Sequence, residues 1–121
     1  MSGRSIVGEK SLAFAKRVAK CYQFLQEKKK ETVLSKQFVR SGTSIGANIR
    51  EGTYAQSRKD FINKMNIALK EAGETDYWLE VLHEAEYLTD SEYESMKHDN
   101  DELIKLLASI VKTTKEIATK Q

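Results

Sequence analysis

The chain of 121 residues has no proline, one cysteine and six glycines, and aromatic residues make up only 8% of it. Without proline, no helix is interrupted by a missing backbone N–H. With Cys21 as the sole cysteine no intrachain disulfide can form, and a reducing, cytoplasmic setting is expected. No apolar run approaches the ~18 residues that cross a bilayer, and no apolar leader opens the chain, so no membrane association is expected. No alternating pattern marks a strand, no linker or low-complexity stretch divides the chain, and no glycine-rich phosphate loop or zinc spacing is present. These absences leave one expected domain over residues 1–121, long enough to bury a core without disulfides or metals.

What remains is helical periodicity. A first helix over about 5–30 carries Val7, Ser11, Phe14, Val18, Cys21 and Leu25 at alternating four- and three-residue steps, with Lys28-Lys29-Lys30 in its last turn. A second over about 33–50 carries Leu34, Phe38, Ser41, Ile45 and Asn48 or Ile49, and Glu51-Gly52 reads as its stop, glycine tolerating the left-handed turn beyond a helix end. A third over about 58–87 starts at the N-cap Ser57, with Asp60 at its third position, and follows Phe61, Met65, Ala68, Ala72, Thr75, Leu79 and Leu82. A fourth over about 90–118 opens with a capping box, Thr89 and Glu92, flanked by the staple pair Leu88 and Tyr93. Its stripe is Asn100, Leu103, Leu107, Ile110, Thr114 and Ile117, with Ile104, Val111 and Ala118 as a second line. Short connections between helices of similar length predict an all-α, up-down-up-down antiparallel four-helix bundle. Ile62, Leu69, Trp78 and Val81 lie off the third stripe, so helices 3 and 4 carry more apolar surface than one bundle needs, and a second copy is expected to cover it.

The segment Ser41–Gly52 concentrates three of the six glycines. A glycine costs a helix interior roughly 1 kcal/mol against alanine. Gly42 and Gly46, one turn apart, therefore predict close approach of a neighbouring helix, with Gly52 closing the motif. Ser44 and Asn48, polar and on the same helix, are expected to hydrogen-bond across the bundle.

The net charge of +2 conceals segregation: residues 1–70 hold 15 Lys/Arg against 5 Asp/Glu, whereas residues 71–102 hold Lys97 against 12 acids. The antiparallel topology predicts an acidic end, with Lys28–Lys30 beside it, and a basic end gathering Arg4, Lys10, Arg50, Arg58, Lys59, Lys64, Lys112, Lys115 and Lys120. Such runs serve either as solvated faces and inter-helix salt links or as an electrostatic partner site. Arg50, Arg58, Lys59, Lys64, Lys112 and Lys115 are the candidate contacts to nucleic acid, with phosphate-type donors and no base-reading array.

Catalytic chemistry finds little support. Glu80 and His83 have the Glu-x-x-His spacing of di-iron bundles, but Ser95 stands three residues before His98, where a second such motif needs Glu, and helices 1 and 2 offer no inward carboxylate. Cys21 reads as a small core hydrophobe, and Tyr77 and Trp78 as core or interface rather than a stacking platform. No cofactor, metal or enzymatic activity is expected.

The run Ser44-Ile45-Gly46-Ala47-Asn48-Ile49-Arg50-Glu51-Gly52 resembles the signature of the bacterial four helix bundle protein family, whose members are also called 23S rRNA intervening-sequence proteins. A second block, Phe61, then Ile67-Ala68, Glu71, Glu74 and Trp78-Leu79, matches as well, and the resemblance spans about residues 6–117. The family commonly has proline at the place of Gly46, alanine at that of Arg50 and a larger residue at that of Gly73. The resemblance implies a homopentameric barrel with a central channel. It also implies kinship to the accessory variability determinant of diversity-generating retroelements, which binds nucleic acid and a reverse transcriptase through basic surfaces. The expected partners are thus further copies of the chain, DNA or RNA, and a reverse transcriptase. The expected role is that of a non-enzymatic, oligomeric nucleic-acid-associated protein, with a pure protein-interaction scaffold as the alternative.

Overall fold

A helix begins where some group can take up the N–H donors of its first turn. A computed structural model describes residues 5–120, with side chains through Ile117, and shows four such starts. Ser5 caps α1 (Ile6–Glu27), its hydroxyl accepting from Gly8 N–H at 3.0 Å. Ser57 caps α3 (Arg58–Glu84) through Asp60 N–H at 3.0 Å. Before α4 (Asp90–Lys120), Thr89 Oγ1 accepts from Glu92 N–H at 3.1 Å while the Glu92 carboxylate accepts from Thr89 N–H at 2.8 Å, closing the predicted capping box.

α2 (Leu34–Gly52) starts where the sequence placed it, but the way its start is capped was not legible there. Its first residues have no side-chain cap of the usual kind; instead Glu31 reaches forward and accepts from the N–H groups of Val33, Leu34 and Ser35 at 3.1, 2.9 and 2.7 Å. Ser35 Oγ donates back to the Glu31 carbonyl at 2.8 Å and accepts from Gln26 Nε2 at 3.0 Å. Glu31 is only 7% exposed.

The two connections at this end turn through left-handed residues that are not glycine, Lys30 at φ 56° and Glu86 at φ 66°. Tyr87 N–H donates to Leu82 C=O at 2.9 Å, the six-to-one bond of a Schellman stop. Consequently α1 ends at Glu27, and Lys28-Lys29-Lys30 lie beyond it rather than in its last turn, because the chain must double back to bury Glu31. Likewise α3 stops at Glu84, short of the predicted position 87.

Contacts fix the topology. Gly42 meets Val18 and Gly46 meets Ser11, so α1 and α2 run antiparallel. Thr75 Oγ1 donates to Ser41 Oγ at 3.0 Å and Gly52 meets Met65, so α2 and α3 do as well. Asn100 Nδ2 donates to Ala72 C=O at 2.9 Å, and Lys10 pairs with Glu102 at 3.0 Å, returning α4 beside α3 and α1. The result is the predicted up-down-up-down bundle, with α4 packed less closely on α1 than any other neighbouring pair of helices is. Because Gly52, the last residue of α2, lies level with Met65, α3 begins about two turns beyond the end of α2.

The predicted stripes form the core. Phe14, Val18, Leu25, Phe38, Ile45, Leu79, Leu82, Leu103 and Leu107 are at most 1% exposed. Three details depart from expectation. Cys21 is half-buried at the α1 edge. In α4 the stripe leaves through Val111, with Ile117 46% exposed, because α1 no longer runs alongside there. Ile62, Leu69 and Trp78 are partly covered within the bundle itself. Arg4 lies outside the described residues, as do the side chains of Ala118 and Lys120.

The glycines act through packing. A Cβ on Gly42 would stand 2.8 and 3.0 Å from the two methyls of Val18, which is wholly buried. On Gly46 it would meet Ser11 Oγ at 3.1 Å. Gly52 is the correction: it is the last helical residue, not a left-handed stop, and a Cβ there would collide with Met65 Cε. Ser44 and Asn48 are a second correction. Ser44 Oγ donates to Arg40 C=O at 2.6 Å and Asn48 Nδ2 to Ser44 C=O at 2.8 Å, both within α2. From α2 the polar bond across the bundle is made by Ser41 with Thr75 instead, because these two lie on the buried stripes.

Two glycine substitutions are expected to shift stability in opposite directions. Gly42→Ala forces a methyl onto a rigid β-branched neighbour and should cost about 1–2 kcal/mol. Gly73, exposed in mid-α3 with nothing within 4 Å of a Cβ, should yield about 0.5–1 kcal/mol on change to alanine. Thermal melts of both variants test this; a rise in melting temperature for Gly42→Ala shows the α1–α2 contact to be loose.

A second expectation concerns acid. Burial pushes the Glu31 pKa up, but the backbone donors of Leu34, Ser35 and Val33 together outweigh it and hold the carboxyl below its ordinary 4.5. A depressed carboxyl stabilises the fold above the unfolded value and loses that contribution as pH falls through the folded one. Glu31→Gln should therefore cost on the order of 1–2 kcal/mol at pH 7. In urea titrations the gap to wild type should narrow below about pH 4.

Candidate nucleic-acid interface

The end where α2 passes into α3 is built by tight backbone turns. Thr53, Tyr54 and Ala55 N–H donate to the carbonyls of Arg50, Glu51 and Gly52, each at 3.1 Å, and Thr53 Oγ1 adds a bond to Arg50 C=O at 2.6 Å. These bonds hold the exposed side chains of Arg50 and Tyr54 at the bundle edge. Arg58 and Lys59 follow in the first turn of α3, both exposed. The register that sets Asn100 beside Ala72 brings exposed Lys112 and Lys115 to the level of that turn.

The predicted residues do not behave alike. Lys64 is half-buried and turned to Glu51 at 3.7 Å, so its charge is partly spent within the bundle. Lys10 is tied to Glu102 on α4. Arg50, Lys59 and Lys112 form no ion pair among the described residues. Of the packing residues, Gly42 and Gly52 are buried against Val18 and Met65, and Gly46 lines the groove beside the turn.

Beside the turn, α1 and α2 enclose an open groove of about 690 Å³. It exists because Gly8, Ala15, Gly46 and Ala47 put little side chain between the helices. Its end nearest the turn is lined by Arg50 and Tyr54. Tyr54 was missed in the sequence, although an aromatic placed between two basic helix ends was a readable signal. It is 81% exposed, more than any other large apolar side chain here.

Six of the twelve acids in the 71–102 stretch are taken up by ties between helices. Arg40 on α2 bridges Glu71 and Glu74 on α3, and Trp78 Nε1 donates to Glu74 at 3.2 Å. The Trp78 bond, against a smaller upward push from burial and aided by Arg40, holds the Glu74 pKa down, and the paired carboxylates hold that of Arg40 up. Arg17 on α1 reaches Asp99 on α4 at 2.5 Å, and Lys97 joins Asp76 at 2.9 Å. Asp76 raises the Lys97 pKa accordingly. Glu80, Glu84, Glu86 and Glu94 remain outside any ion pair among the described residues. The charge segregation thus serves both readings: it knits α4 to α1 and α3 to α2, and it leaves a cationic surface at one end.

The residues weighed for catalysis are engaged structurally. Burial, with Glu92 nearby, pushes the Cys21 thiol up to about 11, so it stays protonated at neutral pH. His83 stacks on Tyr93 at 4.2 Å and meets Asp90 at 2.7 Å. No group of three His, Cys, Asp or Glu residues able to hold a metal occurs among the described residues, and no helix among them is long and apolar enough to cross a membrane.

No curated protein matches the chain. It is similar to a protein with unknown function from the S23 ribosomal protein family of Bacteroides thetaiotaomicron, whose solved structure superposes with a TM-score of 0.88. Identity is 61%, over 88% of this chain and 99% of the other. The profile of the family described as 23S rRNA-intervening sequence protein matches residues 4–109. With α1, α2, α3 and most of α4 inside that span, the chain belongs to the 23S rRNA-intervening sequence protein family.

Proposed function

We propose that this protein is a non-enzymatic, oligomeric nucleic-acid-associated bundle that holds DNA or RNA without sequence preference at the α2–α3 end. The observation that carries this reading is the set Arg50, Arg58, Lys59, Lys112 and Lys115, all exposed, on three helices that share one end. Cations of this kind attract the phosphate backbone and carry no sequence information. Self-association supports the reading, since repeated patches add as avidity. Tyr77, 58% exposed beside half-buried Leu69 and Trp78, supplies apolar surface on α3 for a second copy to cover. A head-to-tail contact of that sort must close into a ring to stay soluble, and a ring of five is the form that the family resemblance implies. A reverse transcriptase is the protein partner implied in the same way.

A second reading rests on Glu80, Glu84, Glu86 and Glu94, which leave the opposite end acidic and fit a basic protein partner in a scaffold role.

The test is fluorescence anisotropy with labelled DNA and RNA at 50 and 200 mM salt. Wild-type affinity should fall on the order of a hundredfold between the two, as several released counterions require. Reversal of Arg58 and Lys59 to Glu should abolish binding while circular dichroism and the thermal melt stay unchanged. Absence of wild-type binding at low salt favours the scaffold. Native mass spectrometry at micromolar concentration should give an oligomer, and a monomer there removes the avidity argument.

A further inference from the structure

Tyr54 is the least explained side chain in the bundle. Tyr77 makes an edge-on contact with Trp78 at 5.0 Å, and Tyr93 stacks on His83. Tyr54 has no ring contact among the described residues and is 81% exposed. Its exposure is not that of a loose loop tip. Its N–H is bonded to Glu51 C=O at 3.1 Å, and the flanking N–H groups of Thr53 and Ala55 are bonded one turn back in the same manner. A fixed backbone therefore presents a free aromatic face to solvent. Arg50 stands one helical turn earlier and lines the same groove between α1 and α2. Glu51, which also lines the groove, has part of its charge balanced by Lys64 at 3.7 Å.

An aromatic face beside a guanidinium, at the mouth of a groove with cations on the adjoining helix, is the arrangement that holds a single nucleic-acid strand. The ring stacks on an unpaired base, and the arginine takes the neighbouring phosphate. A duplex cannot use the ring, since its base faces are already stacked on one another. The geometry points to Tyr54 as a base-stacking residue that makes this end prefer single strands over duplex. This inference rests on the nucleic-acid reading above and names its substrate class. Every base has a stacking face, so the preference is for strand state and not for sequence. The ring and the guanidinium act on base faces and phosphates, which RNA and DNA share, so single strands of both should bind alike.

The experiment compares twelve-nucleotide single-stranded DNA, single-stranded RNA and duplex DNA at 50 mM salt, using the full chain in its native assembly. Wild type should favour both single strands over the duplex. Tyr54→Ala should weaken single-strand binding between about fivefold and a hundredfold, while duplex binding stays within about twofold. Tyr54→Phe and Tyr54→Trp should restore it, and Tyr54→Leu should not, since an apolar side chain without a ring cannot stack. Equal losses on single strands and duplex overturn stacking and make Tyr54 a shaper of the turn. No loss on any probe overturns the inference and leaves the cationic end standing. A fall in oligomer mass for Tyr54→Ala assigns the ring to a contact between copies and overturns it too. If wild type binds none of the three probes, the inference and the reading beneath it fail together.

Discussion

The close seating of α1 on α2 is the contact on which the rest depends. α1 lies closer against α2 than against α4, which it meets largely through long side chains such as Lys10 to Glu102 and Arg17 to Asp99, so α2 does most to seat it. That seating requires two places without a side chain, Gly42 opposite Val18 and Gly46 opposite Ser11. Interiors pack near crystal density, so an added methyl has nowhere to go without moving a helix. The same sparseness that admits α1 also opens the groove on the outer side of the pair. The small residues thus fix the core and shape the surface in one stroke.

Electrostatics then orders what packing leaves free. A basic first half and an acidic second half cannot pair within one helix, but they can across helices. Arg17 to Asp99, Lys10 to Glu102 and Arg40 to Glu71 and Glu74 each join a helix of the first half to one of the second. Apart from the largely covered Glu71, these are solvent-facing pairs, and each contributes little alone. Together they favour one arrangement of the four helices over its alternatives. Asn100 works to the same end inside the core. Its amide N–H is satisfied by Ala72, while its oxygen has no partner, a cost that an apolar residue in that place would not carry. A single buried amide of this kind selects register where apolar side chains would slide.

Much of this was legible in the sequence, and the reasons are particular. The stripes through Phe14, Phe38, Leu79 and Leu103 were readable because helical periodicity is local. The capping box at Thr89 and Glu92 was readable because both partners lie within four residues. Gly42 and Gly46 announced a contact by their cost, though not the identity of Val18 and Ser11. Glu31 was not legible, since it caps from outside the usual position and depends on a left-handed turn at Lys30. The bonds of Ser44 and Asn48 were misread because polar side chains on a helix return to their own backbone as readily as they cross to another. The cationic end followed from topology alone, whereas Tyr54 needed the structure to show a ring left uncovered.

The helices are unequal, with 22 and 19 residues in α1 and α2 against 27 and 31 in α3 and α4. Since α2 stops level with Met65, the first turns of α3 and the last turns of α4 stand above the other pair as a two-helix prong roughly 10 Å tall. Arg58, Lys59, Lys112 and Lys115 ride on the prong, and Arg50 and Tyr54 occupy the ledge at its foot. Phe61 and Val111 root the prong in the core. Prong and ledge together give this end of the bundle a stepped outline, with cations on both the riser and the tread, where the other end is closed by the turns at Lys30 and Glu86.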